Sequence, residues 1–128
     1  GETDDFAHDG RYDCYLRSAR QTDQFVKELW DFVQSHAMYK NKTAFIITTD
    51  HGRGTEPLDT WRSHNVKIPG ADQIWLAVIG PETAPMGEIK VPGQFYQNQV
   101  AKTAAAFLKV EYRNERPVGE TIASMVTK

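Results

Sequence analysis

The chain has 128 residues, enough for one ordinary hydrophobic core. Its apolar fraction of 40% and charged fraction of 25% are those of a folded globular protein and exclude global disorder. A formal charge of −2 lacks the basic excess that nucleic acids and anionic membrane surfaces select, so no nucleic-acid partner is expected.

In chain order, the first feature is a polar cluster, Asp4-Asp5-Phe6-Ala7-His8. Asp4 and His8 stand at i and i+4, so one helical turn or a compact loop points both at a single ion. This acidic, polar start has no secretory-signal pattern, which is basic and then apolar. Cys14 is the single cysteine, which excludes a disulfide within the chain and any cysteine-based zinc site. It reads as a small apolar filler, and any metal must be held by histidine and carboxylate.

Leu16 to Ser35 reads as a long amphipathic helix. Ala19, Val26, Leu29, Trp30 and Val33 recur at helical spacing, and Arg17, Arg20, Asp23, Lys27, Glu28 and Asp31 fill mostly the other face. His36, near the end of that helix, is explained by the helix dipole and is assigned no role. After a polar break over Tyr39 to Lys42, the run Thr43 to Thr49 is β-branched and aromatic, a strand that ends abruptly in Asp50-His51-Gly52. Neighbouring residues on a strand face opposite sides, but Gly52 permits a turn in which Asp50 and His51 converge. Ligands of open α/β sheets bind just beyond such strand ends.

The stretch Gly52 to Gln73 is long and irregular, and it carries Ser63-His64-Asn65. Segments of that length are usually functional loops or disordered, and the clusters around it favour a functional loop. Ile74 to Ile79 is a second strand, closed by Gly80-Pro81, and no apolar run in the chain reaches membrane-spanning length. Neither strand alternates polar and apolar residues, the pattern of a sheet covered on both faces. A helix over Tyr96 to Leu108 and a short element over Thr121 to Val126 complete the chain. With no repeat, low-complexity segment or linker, one domain over residues 1–128 is expected, of the α/β class, with a mostly parallel sheet and flanking helices.

Three of the four histidines therefore fall in compact polar clusters, two of them beside a carboxylate. Mixed oxygen and nitrogen donors suit zinc or manganese better than calcium, which takes oxygen only. Arg53, in the glycine-flanked turn, is a candidate donor to the oxygens of an anionic substrate.

The opening GETDDFAH, the run IITTDHGRG from Ile46 to Gly54, and Trp61-Arg62-Ser63-His64 together resemble the alkaline phosphatase superfamily, in its phosphodiesterase, sulfatase and phosphoglyceromutase-like branch. Ile74 to Pro81 (IWLAVIGP) follows the third cluster as in that superfamily. The resemblance implies a two-metal site with Asp4, His8 and His64 on one ion and Asp50 and His51 on the other. The ions would be two divalent metals, zinc or alternatively manganese.

It implies hydrolysis of small phosphate or sulfate esters, or phosphoryl transfer of the mutase kind. The alternative is a non-catalytic domain that uses the same residues structurally or to bind metal without turnover. The superfamily's nucleophile and a further aspartate ligand precede the Asp-x-x-x-His motif, so no catalytic nucleophile is expected in this chain. The chain is then the C-terminal portion of an alkaline-phosphatase-like catalytic domain, inactive by itself, self-associating or pairing with the N-terminal half. By analogy its location would be periplasmic or secreted.

Overall fold

The computed structural model describes residues 1–90 and 92–126. The chain divides into two compact units, one of residues 1–40 and 48–76, the other of residues 41–47 and 77–128.

The first unit opens with helix α1, Glu2–His8, and helix α2, Tyr12–Ser35. Glu2, Asp4 and Asp5 in the first turn of α1 complement the positive end of its dipole. Gly10 ends it in the left-handed region, φ +71°. There the Gly10 N–H donates to Ala7 O (2.9 Å) and the Arg11 N–H to Phe6 O (2.9 Å), the Schellman arrangement. That reversal lays α2 against α1, burying Ala7, Cys14 and Ser18, with the Thr3 and Ser18 hydroxyls 2.7 Å apart. It also starts α2 at Tyr12 rather than at the expected Leu16.

Along α2 the expected apolar stripe is only partly covered. Val33 is buried, but Leu29 is 54% exposed, and Phe25 and Phe32 on the same side are 57% and 54% exposed. The irregular stretch after β1 proves well ordered. Gly52 N–H donates to Ala71 O (2.8 Å), Gly54 N–H to Ser63 O (3.2 Å) and Thr55 N–H to Pro69 O (2.9 Å). A short 3-10 turn, Leu58–Arg62, carries Trp61, whose ring meets Tyr12 edge-on at 5.2 Å and Tyr15 at 5.9 Å.

Strands β1, Phe45–Thr48, and β2, Leu76–Ile79, form a two-stranded sheet. The Thr48 hydroxyl donates to Trp75 O (2.8 Å) at one end, and Gly80 packs on Ala44 at the other, so the pair runs antiparallel. This corrects the expectation of a mostly parallel sheet for the strands described. Parallel neighbours need a crossover, usually a helix, whereas only the 3-10 turn interrupts the connection from β1 to β2. β2 alternates, with Leu76 and Val78 half-buried and Ala77 and Ile79 exposed. Among the described residues it is therefore covered on one face, not on two.

In the second unit, helix α3 spans Val100–Phe107 after a 3-10 turn at Gln97–Gln99, close to the expected Tyr96 to Leu108. Thr103, 1% exposed, fixes the helix to the tail. Its hydroxyl donates to Gln99 O (2.8 Å) and accepts from the Ile122 N–H (3.0 Å). The tail element is a 3-10 turn at Ala123–Met125.

Candidate metal centre

All the residues named from the sequence as ligands lie in the first unit. Helix α1 presents Asp4 and His8 from successive turns, the turn after β1 presents His51 and Arg53, and the segment after the 3-10 turn presents His64. Asp4 Oδ1 lies 3.4 Å from His8 Nε2, 3.5 Å from His64 Nε2 and 3.9 Å from His51 Nε2. His8 Nε2 and His64 Nε2 are 3.2 Å apart. The His51 and His64 rings stack at 3.5 Å between centroids with a 13° tilt.

Zinc–nitrogen and zinc–oxygen bonds of roughly 2.0–2.1 Å in a tetrahedron put ligand atoms about 3.3 Å apart. The Asp4–His8–His64 triangle, with edges of 3.4, 3.5 and 3.2 Å, has that size. Two imidazole nitrogens so close also repel through their lone pairs unless a proton or a cation lies between them. The donor set therefore fits a divalent ion. His51 is a wider neighbour, which nonetheless groups with Asp4 and His64 within 4.8 Å.

His51 Nδ1 is 2.9 Å from Gly52 O. A carbonyl only accepts, so Nδ1 carries a proton, and Nε2 faces the Asp4 and Asp50 carboxylates. Asp50 Oδ1 accepts from the His51 N–H (3.0 Å) and stands 3.7 Å from His51 Nε2, on a side chain that is 89% exposed. His51 thus sits within 4 Å of both Asp50 and Asp4. The resemblance implies one set of candidate ligands with Asp4 and another with Asp50, and His51 lies within 4 Å of a carboxylate of each.

Arg53 is the charge that organises the cluster. One terminal nitrogen, Nη2, contacts Asp4 Oδ1 directly. The other, Nη1, is buried with no hydrogen-bond partner among the described residues. Burial pushes the Asp4 carboxyl up, but the Arg53 charge and hydrogen bond outweigh it, helped by His8 and His64, and hold it below 3.8. The His64 imidazole is held below 6.5 by burial first, then by the neighbouring His51, with Asp4 opposing and Arg53 and His8 reinforcing.

Two contributors carried little sequence signal. Arg62 donates from Nη2 to His8 O (3.0 Å), tying the His64 segment to α1, and Gly10 lies under the same guanidinium. The adjacency of Arg62 to His64 was visible, but its reach to α1 was not. Gly52, expected as a turn former, does something else. A Cβ there would stand 2.3 Å from Gln73 O and 2.5 Å from Gly70 O. The residue is needed for close backbone approach, and the positive-φ glycine of this loop is Gly70, φ +91°.

No curated protein and no solved structure matches the chain. The sequence model of the sulfatase family matches residues 1–118, a span that contains every residue of the cluster. That family lies within the alkaline phosphatase superfamily, whose α/β fold and hydrolase character it carries. The chain belongs to the sulfatase family.

Proposed function

We propose that the chain supplies the metal-holding part of a two-metal hydrolase of phosphate or sulfate esters. The observation that carries this reading is the Asp4–His8–His64 triangle at tetrahedral spacing. Asp4, His8 and His64 hold one divalent ion, zinc by preference, and Asp50 with His51 contributes to a second. When bound, such a pair lowers the pKa of an attacking oxygen and offsets charge on the leaving one.

The chain's own residues do the rest. Nδ1-protonated His51 keeps its Nε2 toward the site. Asp4 is ionised near neutrality as an ordinary carboxylate is, and the Arg53 charge and hydrogen bond keep it so against the opposing effect of burial. We assign Arg53 Nη1, a buried donor without a hydrogen-bond partner among the described residues, to a non-bridging oxygen of the substrate. No hydroxyl of the strand is offered as nucleophile, since that of Thr48 donates to Trp75 O. In the superfamily that the chain resembles, the nucleophile precedes the Asp-x-x-x-His motif, so none is assigned among these residues.

Zinc binding tests this directly. The metal-freed chain should take up zinc by isothermal titration, with elemental analysis confirming at least one tightly held equivalent. His8→Ala and His64→Ala should each weaken that site by about a hundredfold or more, the scale expected when a direct ligand is lost from a site whose outer-shell partners alone are worth 10–100-fold. Zinc uptake that is absent, or indifferent to both substitutions, contradicts the metal reading. For the complete protein, p-nitrophenyl phosphate and p-nitrophenyl sulfate then separate phosphatase from sulfatase chemistry.

A further inference from the structure

Asp4 Oδ1 is the atom on which the cluster converges, and two kinds of cation meet there. His8 Nε2 and His64 Nε2 stand 3.4 and 3.5 Å from it, the spacing that a divalent ion spans. Arg53 Nη2 bonds the same oxygen directly and lies 3.5 Å from the Asp4 carbonyl oxygen. Arg53 is not a swinging surface residue. Its backbone is pinned on either side, by Gly52 N–H to Ala71 O (2.8 Å) and Gly54 N–H to Ser63 O (3.2 Å), and its side chain is 16% exposed. The path of the loop therefore holds the guanidinium on the carboxylate.

The charges do not balance once a divalent ion joins them. Asp4 and Arg53 cancel each other, and neutral imidazoles bring no charge, so nothing in the triangle offsets the charge of the ion. Asp50, the other carboxylate near His51, has a side chain that is 89% exposed and accepts from the His51 N–H (3.0 Å). A positive charge a few ångströms from a bound cation weakens its hold, and more so where the pair is partly buried. The same guanidinium carries Nη1, buried and without a hydrogen-bond partner among the described residues. A tetrahedral oxyanion brings the missing negative charge and the missing acceptor together.

We propose that Arg53 couples the cation to the anion: through Nη2 it opposes a divalent ion on Asp4 Oδ1, and an oxyanion held at Nη1 relieves that opposition. The ion is held loosely in the absence of a phosphate or sulfate group, and the two bind more tightly together than either does alone. Coupling between two ligands is reciprocal, so the ion strengthens the anion by the same factor. An arginine that served only to orient Asp4 would act in the reverse sense, since removing its charge would then weaken the ion. The inference rests on the proposed metal site and adds to it the interdependence of its two ligands.

The test measures zinc binding to the metal-freed chain by titration calorimetry, in potassium chloride and in potassium sulfate of the same ionic strength. In the unsubstituted chain sulfate should tighten zinc by about tenfold or more. Arg53→Gln keeps a donor for Asp4 Oδ1 and removes the charge. In chloride it should bind zinc about tenfold more tightly than the unsubstituted chain, with sulfate adding less than about threefold. Arg53→Lys keeps the charge but lacks the planar fork that serves carboxylate and anion at once. It should match the unsubstituted chain in chloride to within about threefold and lose the sulfate effect.

An Arg53→Gln chain that binds zinc no more tightly than the unsubstituted one, or a sulfate effect that survives Arg53→Lys, overturns the coupling. The metal site still stands in that case if His8→Ala and His64→Ala weaken zinc. Should Arg53→Gln lose its fold, seen by far-ultraviolet circular dichroism, the Arg53→Lys comparison decides alone. Absence of zinc uptake by the unsubstituted chain removes the proposed function itself, and this inference with it.

Discussion

At the residue scale, the cluster around Asp4 is a set of charges that stabilise one another only in the right protonation states. One carboxylate faces three imidazoles and a guanidinium, so the balance is set by which imidazoles are neutral. His64 is depressed by burial and by His51, so the folded chain binds fewer protons there than the unfolded chain just below pH 6.5. Stability then rises with pH across that interval and falls on acidification. Asp4, also depressed, keeps its contribution above the ordinary carboxylate range and loses it as pH drops through its folded value, which is the same direction. In the metal-free chain the urea midpoint should be flat above about pH 7 and decline from about 6.5 downward. His64→Gln should remove the first part of the decline. A midpoint that climbs between pH 6.5 and 5 contradicts this assignment of the charges.

At the scale of elements, the site depends on three pieces of backbone brought together by glycines and one arginine. Gly10 reverses the chain so that α1, carrying Asp4 and His8, lies on α2. Arg62 then ties the His64 segment to the His8 carbonyl. Gly52 admits the backbone of residues 70–73, with no room for a methyl group because the obstructing atoms are carbonyl oxygens that cannot swing away. Gly52→Ala should therefore destabilise the chain by about 2–3 kcal/mol, the upper range for overpacking, measured by urea unfolding. It should also weaken zinc binding, because His51 is its neighbour. A cost below about 0.5 kcal/mol would show that the loop yields more easily than the geometry implies.

At the scale of the whole chain, the apolar residues of α2 and β2 outnumber the surfaces that cover them. Phe25, Leu29 and Phe32 share one side of α2 at better than half exposure, and Ile79 on β2 is 43% exposed. Such faces favour association, and among the described residues no third strand flanks the two-stranded sheet, an arrangement that invites another strand. We expect the chain to self-associate through these faces. Sedimentation velocity over a concentration series should show an oligomer. Leu29→Glu should weaken it by roughly tenfold or more, the effect of forfeiting about 1.5–3 kcal/mol of leucine burial. A monomer at all concentrations, with no response to that substitution, contradicts the expectation for self-association.

What the sequence determined by itself was the identity of most of the elements and a set of candidate site residues. Helical periodicity marked α2 and α3, β-branched runs marked β1 and β2, and the spacing of Asp4 to His8 allowed either one helical turn or a compact loop to carry both, of which the structure has the helix. These are local properties, fixed by the period of the backbone. The Schellman turn at Gly10 was not foreseen, because a glycine in the sequence does not name the carbonyls that its turn will pair with.

The tertiary structure alone decided how those pieces meet. That His51 would lie flat on His64 and stand between Asp50 and Asp4 depends on the path of a loop whose backbone hydrogen bonds join residues 52–55 to residues 63–71. That Arg53 would turn inward to Asp4, and that β1 and β2 would pair antiparallel, follow from the same return of the chain. The physical reason is that period and propensity act over a few residues, whereas direction and proximity are set by contacts between residues fifty positions apart.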